Sequence, residues 1–273
     1  MGTLYLVSTP IGNLEDITLR ALRVLRECAL VATEDTRSTG RLLDHFGIGK
    51  PLISYFEHNK ITRLDRLLEA LETGDVALVS EAGTPVVSDP GHELVCAALE
   101  RGVCVVPIPG ASSLTTALSV SGLAGDRVLF LGFLPRRATQ RRQRLAEVAA
   151  ERATLVVFEA PHRLLAALGD MRDLLGHDRR CAICREMTKL HEEVWRGTLE
   201  CAWVEWQRRQ PRGEFTLILA GAAPASAWDD EQVCSAMVDL LSSGVSHSEA
   251  ARRVARESGW SKSAVYALRS HPA

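Results

Sequence analysis

Four short stretches hold most of the side chains in this chain that are able to do chemistry. They are Val7-Ser8-Thr9-Pro10-Ile11-Gly12-Asn13-Leu14, Glu34-Asp35-Thr36-Arg37, Ser80-Glu81-Ala82-Gly83-Thr84-Pro85 and Pro107-Ile108-Pro109-Gly110-Ala111-Ser112-Ser113. Each follows a short apolar run. Glycine lets a backbone come close to a ligand, and Pro85 and Pro109 fix loop shape at little entropic cost. Loops of this kind at the carboxyl ends of strands form the ligand crevice of an open α/β sheet, so the active site is expected here. Ser112 and Ser113 sit at a helix start, suited to capping it or to holding a ligand's polar end. The loop 34–37 is the most polar, and also suits a capping turn with an arginine ion pair. Further on, Arg136, Arg137, Arg141, Arg142 and Arg144 put five arginines within nine residues. That density favours phosphate contact over a merely solvated face.

The elements that must position these loops follow from periodicity. Buried parallel strands are read at 76–79 and 103–106, with a helix at 92–101 between them carrying Leu94, Val95, Ala98 and Leu99 at helical spacing. Further strands are expected at 4–8, 29–32 and 53–55, and helices from Ile17 to Leu25, at 41–46, 61–71 and 114–121. A segment at 122–127 links to a second domain with strands at 128–133, 154–158, 181–185 and 215–220, helices at 136–150, 164–175 and 199–207, and an extended stretch at 192–198. After a small-residue linker at 222–227, three short helices at 233–241, 248–257 and 262–270 give a helix-turn-helix-like pattern; a plain helical domain is the alternative. The fold class is therefore α/β, divided as 1–121, 122–222 and a helical module at 229–273.

Composition bounds the function. With 273 residues, 46% of them hydrophobic, a large core is available. The net charge of -2 excludes a global basic field, so nucleic acid must be met by local patches. Seven scattered cysteines suggest reduced thiols and a cytoplasmic setting. No apolar run reaches the length of a membrane span, so no membrane partner is expected, and no signal peptide is read at the start. Gly-x-Gly-x-x-Gly is missing, Gly49-Lys50 lacks the upstream glycine of a P-loop, and Gly110-Ala111-Ser112-Ser113 lacks the second glycine of a nucleophile elbow. Cys181-Ala182-Ile183-Cys184 has metal spacing, but residues three apart on a strand face opposite ways. No metal site is expected.

Taken together and in this order, the four loops resemble the tetrapyrrole methylase superfamily, the class III S-adenosylmethionine-dependent methyltransferases. Gly132-Phe133-Leu134-Pro135-Arg136, Phe158-Glu159-Ala160-Pro161-His162-Arg163-Leu164, Arg185-Glu186-Met187-Thr188-Lys189 and Gly213-Glu214-Phe215 look like its RNA-modifying branch, which methylates a cytidine ribose 2′-hydroxyl in 16S ribosomal RNA. The likeness spans residues 3–220, and the helical tail also resembles that branch. Ser8 stands where glycine is expected and Glu81 where aspartate is.

The resemblance implies two α/β domains of the tetrapyrrole methylase type with S-adenosyl-L-methionine (SAM) in the cleft between them, and a homodimer. It carries cofactor contacts onto Pro10, Thr84, Val87, Ser112 and Ser113, with Gly110 and Ala111 in the same loop, and onto Glu159, Ala160 and Met187 from the second domain. A ribose hydroxyl benefits from a proton acceptor; the candidates are Glu34, Asp35, Glu81 and Glu159, with Glu34, Asp35 and Arg37 as the expected catalytic group. RNA contact, with the small ribosomal subunit as partner, is expected at Arg136, Arg137, Arg141 and Arg142. Arg37, His162, Arg163 and Lys189 are placed at the cleft mouth, and Arg252, Arg253, Arg256, Lys262 and Arg269 in the tail. Two rivals remain on sequence alone: a porphyrin-type methyltransferase of the same fold, disfavoured by the extended positive surface, and a regulator using the tail helices, which leaves the Thr84 and Ser112 loops without purpose.

Overall fold

The computed structural model describes residues 1–56, 60–223 and 228–267. Residues 1–149 and 153–220 make one compact unit, and residues 150–152 with 221–273 make another.

In the larger unit, β1 (Thr3–Val7), β2 (Leu30–Thr33), β3 (Leu52–Ser54), β4 (Val76–Val79) and β5 (Cys104–Ile108) form a wholly parallel sheet in the order β3-β2-β4-β1-β5. The central strands are continuous apolar runs because both faces are covered. On one face α1 (Leu19–Glu27) and α2 (Thr36–His45) set Leu22, Leu25 and Leu43 against Val7, Val31 and Val79. On the other, α3 (Lys60–Thr73) and α4 (His92–Glu100) set Leu67, Leu71 and Leu94 against Leu4, Val76 and Leu78. The strand expected at 103–106 is β5, and it is an edge rather than a buried strand. Cys104 and Pro107 are exposed, and a proline is tolerated there because an edge leaves one N–H row unpaired.

The second sheet orders β6 (Val128–Phe133), β7 (Thr154–Glu159), β8 (Arg180–Arg185), β9 (Glu193–Thr198) and β10 (Phe215–Leu219) as β6-β7-β10-β8-β9. Only β6 and β7 run parallel. One face carries α6 (Ala138–Glu147), α7 (Leu164–Leu175) and α8 (Leu199–Gln207), packed through Leu145, Leu168 and Trp206 onto Leu155, Val157 and Leu217. The opposite face carries α5 (Ser113–Ser121), whose Leu114, Ala117 and Leu118 meet Val156, Ala182 and Ile218. So α5 follows the first sheet in the chain and covers the second. Cys181 and Cys184 lie in the two opposite cores, as strand alternation requires.

The smaller unit holds α9 (Asp230–Ser242), α10 (His247–Ser258) and α11 (Lys262–Ala267) around Val233, Met237, Val254 and Val265. Asp229 and Gln232 close a reciprocal capping box on α9, and the Trp260 indole N–H donates to the Trp228 carbonyl at 2.6 Å. Of the expected tail, residues 224–227 of the linker and 268–270, with Arg269, lie outside the described residues. Among the described residues no helix is long and apolar enough to cross a membrane.

Candidate active site

The loops after β1, β4 and β5 meet because their strands lie side by side in the first sheet. The loop after β1 is pinned twice. Thr9 and Gly83 exchange both backbone hydrogen bonds, at 2.9 and 3.0 Å, and the Ser8 N–H donates to the Ile108 carbonyl at 3.2 Å. Side chains extend the link: the Ser8 and Thr84 hydroxyls lie 3.1 Å apart, and Thr84 Oγ1 donates to the Ala111 carbonyl at 3.4 Å. Gly110 is required here by contact, since a Cβ on it would sit 2.8 Å from Ser8 Cβ. Ser112 is the N-cap residue of α5 but makes no side-chain capping bond. Thr84, Gly110, Ala111, Ser112 and Ser113 are thus brought together. Val87 sits further out and is exposed.

Carboxylates crowd the ends of β2 and β4, where Thr33 and Val79 are register partners. Burial and then the neighbouring Glu34 push Asp89 up to about 6; the nearby Ser80 hydroxyl opposes the shift and Glu81 adds to it. Glu34 is raised in turn by its own burial, then by Glu81 and Asp35. Among the described residues no cation offsets these shifts. An excess of negative charge suits a ligand that arrives positively charged, as a sulfonium does, so the residues present fit SAM. The sequence reading missed Asp89, and the Asp-Pro-Gly turn ending its loop is the signal that was available. Asp35 is the N-cap of α2, its carboxylate accepting from the Arg37 N–H at 2.8 Å. This is the capping turn considered for that loop; the arginine ion pair is not seen among the described residues.

The second sheet reaches the same region at two points. At a bulge in β6, between Phe130 and Gly132, Gly132 has φ of 62° and its backbone lies against Ser88. The stem of Lys189 packs over Gly12, while its ammonium pairs with Glu186 and Glu214, each at 3.0 Å. Met187 is buried beside Ile11 and Ala117. By strand alternation Glu159 shares the face of Leu155 and Val157, away from α5. Its Oε1 accepts from the Ala160 N–H at 2.9 Å and lies 3.2 Å from Arg163, and its Oε2 is buried with no hydrogen-bond partner among the described residues. Burial raises its carboxyl, against the Ala160 N–H and the charge of Arg163.

The arginines divide. Arg141 is turned inward: 8% of its side chain is exposed, and Nε and Nη2 each lie 2.7 Å from Asp170. Arg163 is also turned in, donating to the Leu134 and Pro135 carbonyls. Arg142 pairs with Asp170 at 2.6 Å and Arg144 with Glu147 at 3.2 Å. Arg136 and Arg137 precede α6, are exposed, and have no ion pair among the described residues. His162 is exposed. In the tail Arg252 and Arg253 both pair with Glu249, Lys262 lies 3.5 Å from the Ser248 hydroxyl, and Arg256 is exposed.

Between the loop after β1 and the first turns of α2 lies a cavity of about 250 Å³. Pro10, Leu14, Ser38, Arg41, Leu42 and Glu81 are among its walls. Of these, the sequence reading named only Pro10 and Glu81 for the site.

The model of the family described as Tetrapyrrole (Corrin/Porphyrin) Methylases matches residues 3–202, and the chain belongs to that family. Among curated relatives, a ribosomal RNA small subunit methyltransferase I from Synechocystis sp. is 47% identical, covering 98% of this chain and 97% of its own. One of the same name from Halalkalibacterium halodurans is 48% identical, covering 97% and 93%. A solved uroporphyrin-III C-methyl transferase from Thermus thermophilus, complexed with S-adenyl homocysteine, matches with a TM-score of 0.58 at 23% identity, over 80% of this chain and 97% of that one. That last likeness speaks to the fold.

Proposed function

We propose that the chain is a SAM-dependent methyltransferase that modifies the 2′-hydroxyl of a cytidine ribose in 16S ribosomal RNA, working as a homodimer. The observation that carries this reading is the near-complete match, tail included, to relatives named for the small-subunit RNA. SAM supplies an activated methyl group. The chain's part is to hold that donor with Thr84, Gly110, Ala111 and Ser112, to keep the hydroxyl in line with it, and to exclude water. Of the carboxylates at the ends of β2 and β4, Glu34 is the one drawn on as proton acceptor. Within the arginine cluster, Arg136 and Arg137 are the two without an ion pair among the described residues, and they support an RNA over a porphyrin substrate.

The test is mass spectrometry of ribosomal RNA from cells with and without the gene, with transfer of labelled methyl by the purified protein. The expected result is one 2′-O-methylcytidine in the 16S RNA that disappears with the gene and returns on incubation. Label appearing in a tetrapyrrole instead of RNA overturns the reading.

A further inference from the structure

The cavity beside Pro10 has a defined set of unused polar groups. Three hydroxyls near it are already committed: Thr9 Oγ1 donates to the Ser80 carbonyl at 3.3 Å, Ser80 Oγ to the Gly83 carbonyl at 3.0 Å, and Thr39 Oγ1 lies 2.6 Å from Thr33 Oγ1. Three groups are left over among the described residues: the Ser38 hydroxyl, the Glu81 carboxylate and the Arg41 guanidinium, none of which has a hydrogen bond or ion pair there. Arg41, in the cavity wall, follows Arg37 by one turn of α2, so the two cations share a helix face. Pro10, Leu14 and Leu42 give apolar walls. The loop after β1 is the common wall of this cavity and of the Ser8–Thr84–Ala111 cluster, and the Thr9–Gly83 bridge holds it rigid.

One anion-seeking mouth, apolar walls and one hydrogen-bond acceptor match the parts of a single nucleotide. At about 250 Å³ the cavity falls just below the roughly 300–1,000 Å³ of sites for drug-sized ligands, which limits the occupant to about one nucleoside. Unpaired bases in RNA are commonly held between apolar side chains and read on their edges. A carboxylate accepts from the exocyclic amine of cytosine and is repelled by the carbonyl that uracil presents there.

We propose that this cavity receives the acceptor nucleotide, with Arg41 on its phosphate, Pro10 and Leu42 on the faces of its base, and Glu81 reading the amine of cytosine. The proposal rests on the RNA-methyltransferase reading above. It adds a specificity-determining residue and the place where the substrate enters.

The experiment uses the full chain and three variants, Ser38→Trp, Arg41→Ala and Glu81→Gln. Each is assayed for SAM affinity, for melting temperature, and for methyl transfer to RNA whose acceptor position, mapped first by mass spectrometry, is C or U. Ser38→Trp fills the cavity and should abolish transfer while SAM affinity holds. Arg41→Ala, an exposed change that spares the fold, should raise the KM for RNA. Glu81→Gln replaces an acceptor with a group that also donates, and should cut the preference for C over U by about tenfold or more. Equal loss on C and U in Glu81→Gln, or unimpaired transfer by Ser38→Trp or Arg41→Ala, overturns the assignment and leaves the methyltransferase standing. A wild-type protein that binds SAM yet methylates no ribosomal RNA overturns the wider reading instead.

Discussion

Asp89 is a carboxylate whose ionisation works against the fold. Burial raises it to about 6, and the Glu34 charge adds to the effect. A carboxyl raised in the folded state binds its proton more tightly there than in the unfolded chain. Stability is then greatest below the unfolded value near 4 and falls as pH rises through about 6. Asp89→Asn should therefore raise the stability of the protein at pH 7.5 by about 1–2 kcal/mol, a figure reduced from the full shift because water still reaches the group. The gain should vanish near pH 4. Thermal melts of both proteins across that range check this; an equal difference at every pH rules it out. At Gly110 the constraint is steric. Gly110→Val must displace Ser8, whose Cβ would lie 2.8 Å from the new carbon. Misfits of about 1–3 kcal/mol are typical of such overpacking. SAM affinity should fall roughly ten- to hundredfold by calorimetry, with the two sheets intact by circular dichroism.

At the scale of the element, the start of α6 separates two jobs that look alike in the sequence. Arg136 and Arg137 are exposed before its first turn, whereas Arg141 is locked onto Asp170. Arg136→Ala with Arg137→Ala should reduce the salt slope of RNA binding by about two without altering the melting temperature. Arg141→Ala should leave the slope alone and cost about 3 kcal/mol of stability, because Asp170 is left half-buried and short of its main partner. The reverse pattern would reassign both. Here the linear sequence reaches its limit. Strand and helix positions follow from apolar periodicity, so β6, α7 and α8 stand where it places them. Whether an arginine faces out or into Asp170, 29 residues away, depends on how α6 lies on α7, and a run of arginines carries no such information. The loop after β2 shows the same limit. Thr36, Ser38 and Thr39 are weak helix formers, so the helix there reads as beginning at Arg41. Capped by Asp35, it begins five residues earlier, at Thr36, and Thr39 and Leu43 bury it. The crowding of Glu34, Glu81 and Asp89 arises because β2 and β4 are neighbours in the sheet, and strand order is not written in local pattern.

At the scale of the whole molecule, the three tail helices have a buried core of their own in Val233, Met237, Ala250, Val254 and Val265. The cores of residues 1–220 are likewise built from within that span. A chain ending at Ala223 should fold and bind SAM with unchanged affinity. Its activity on ribosomal RNA should fall through a higher KM, as expected when one of two tethered contacts is lost. RNA titrations of intact and truncated protein decide this; a lower maximal rate at unchanged KM would place the tail in the chemistry. The position of α5 has a different consequence. The helix leaves the first sheet at Ser112 and buries Leu114, Ala117 and Leu118 on the second, and Arg196 of β9 clasps the carbonyls of Val120 and Ser121 at its far end. A jaw-like opening of the two sheets about residues 122–127 would have to peel that helix from its seat. Any opening that spares this seat therefore has to hinge before α5, in the loop at residues 110–112 that the donor itself is proposed to touch.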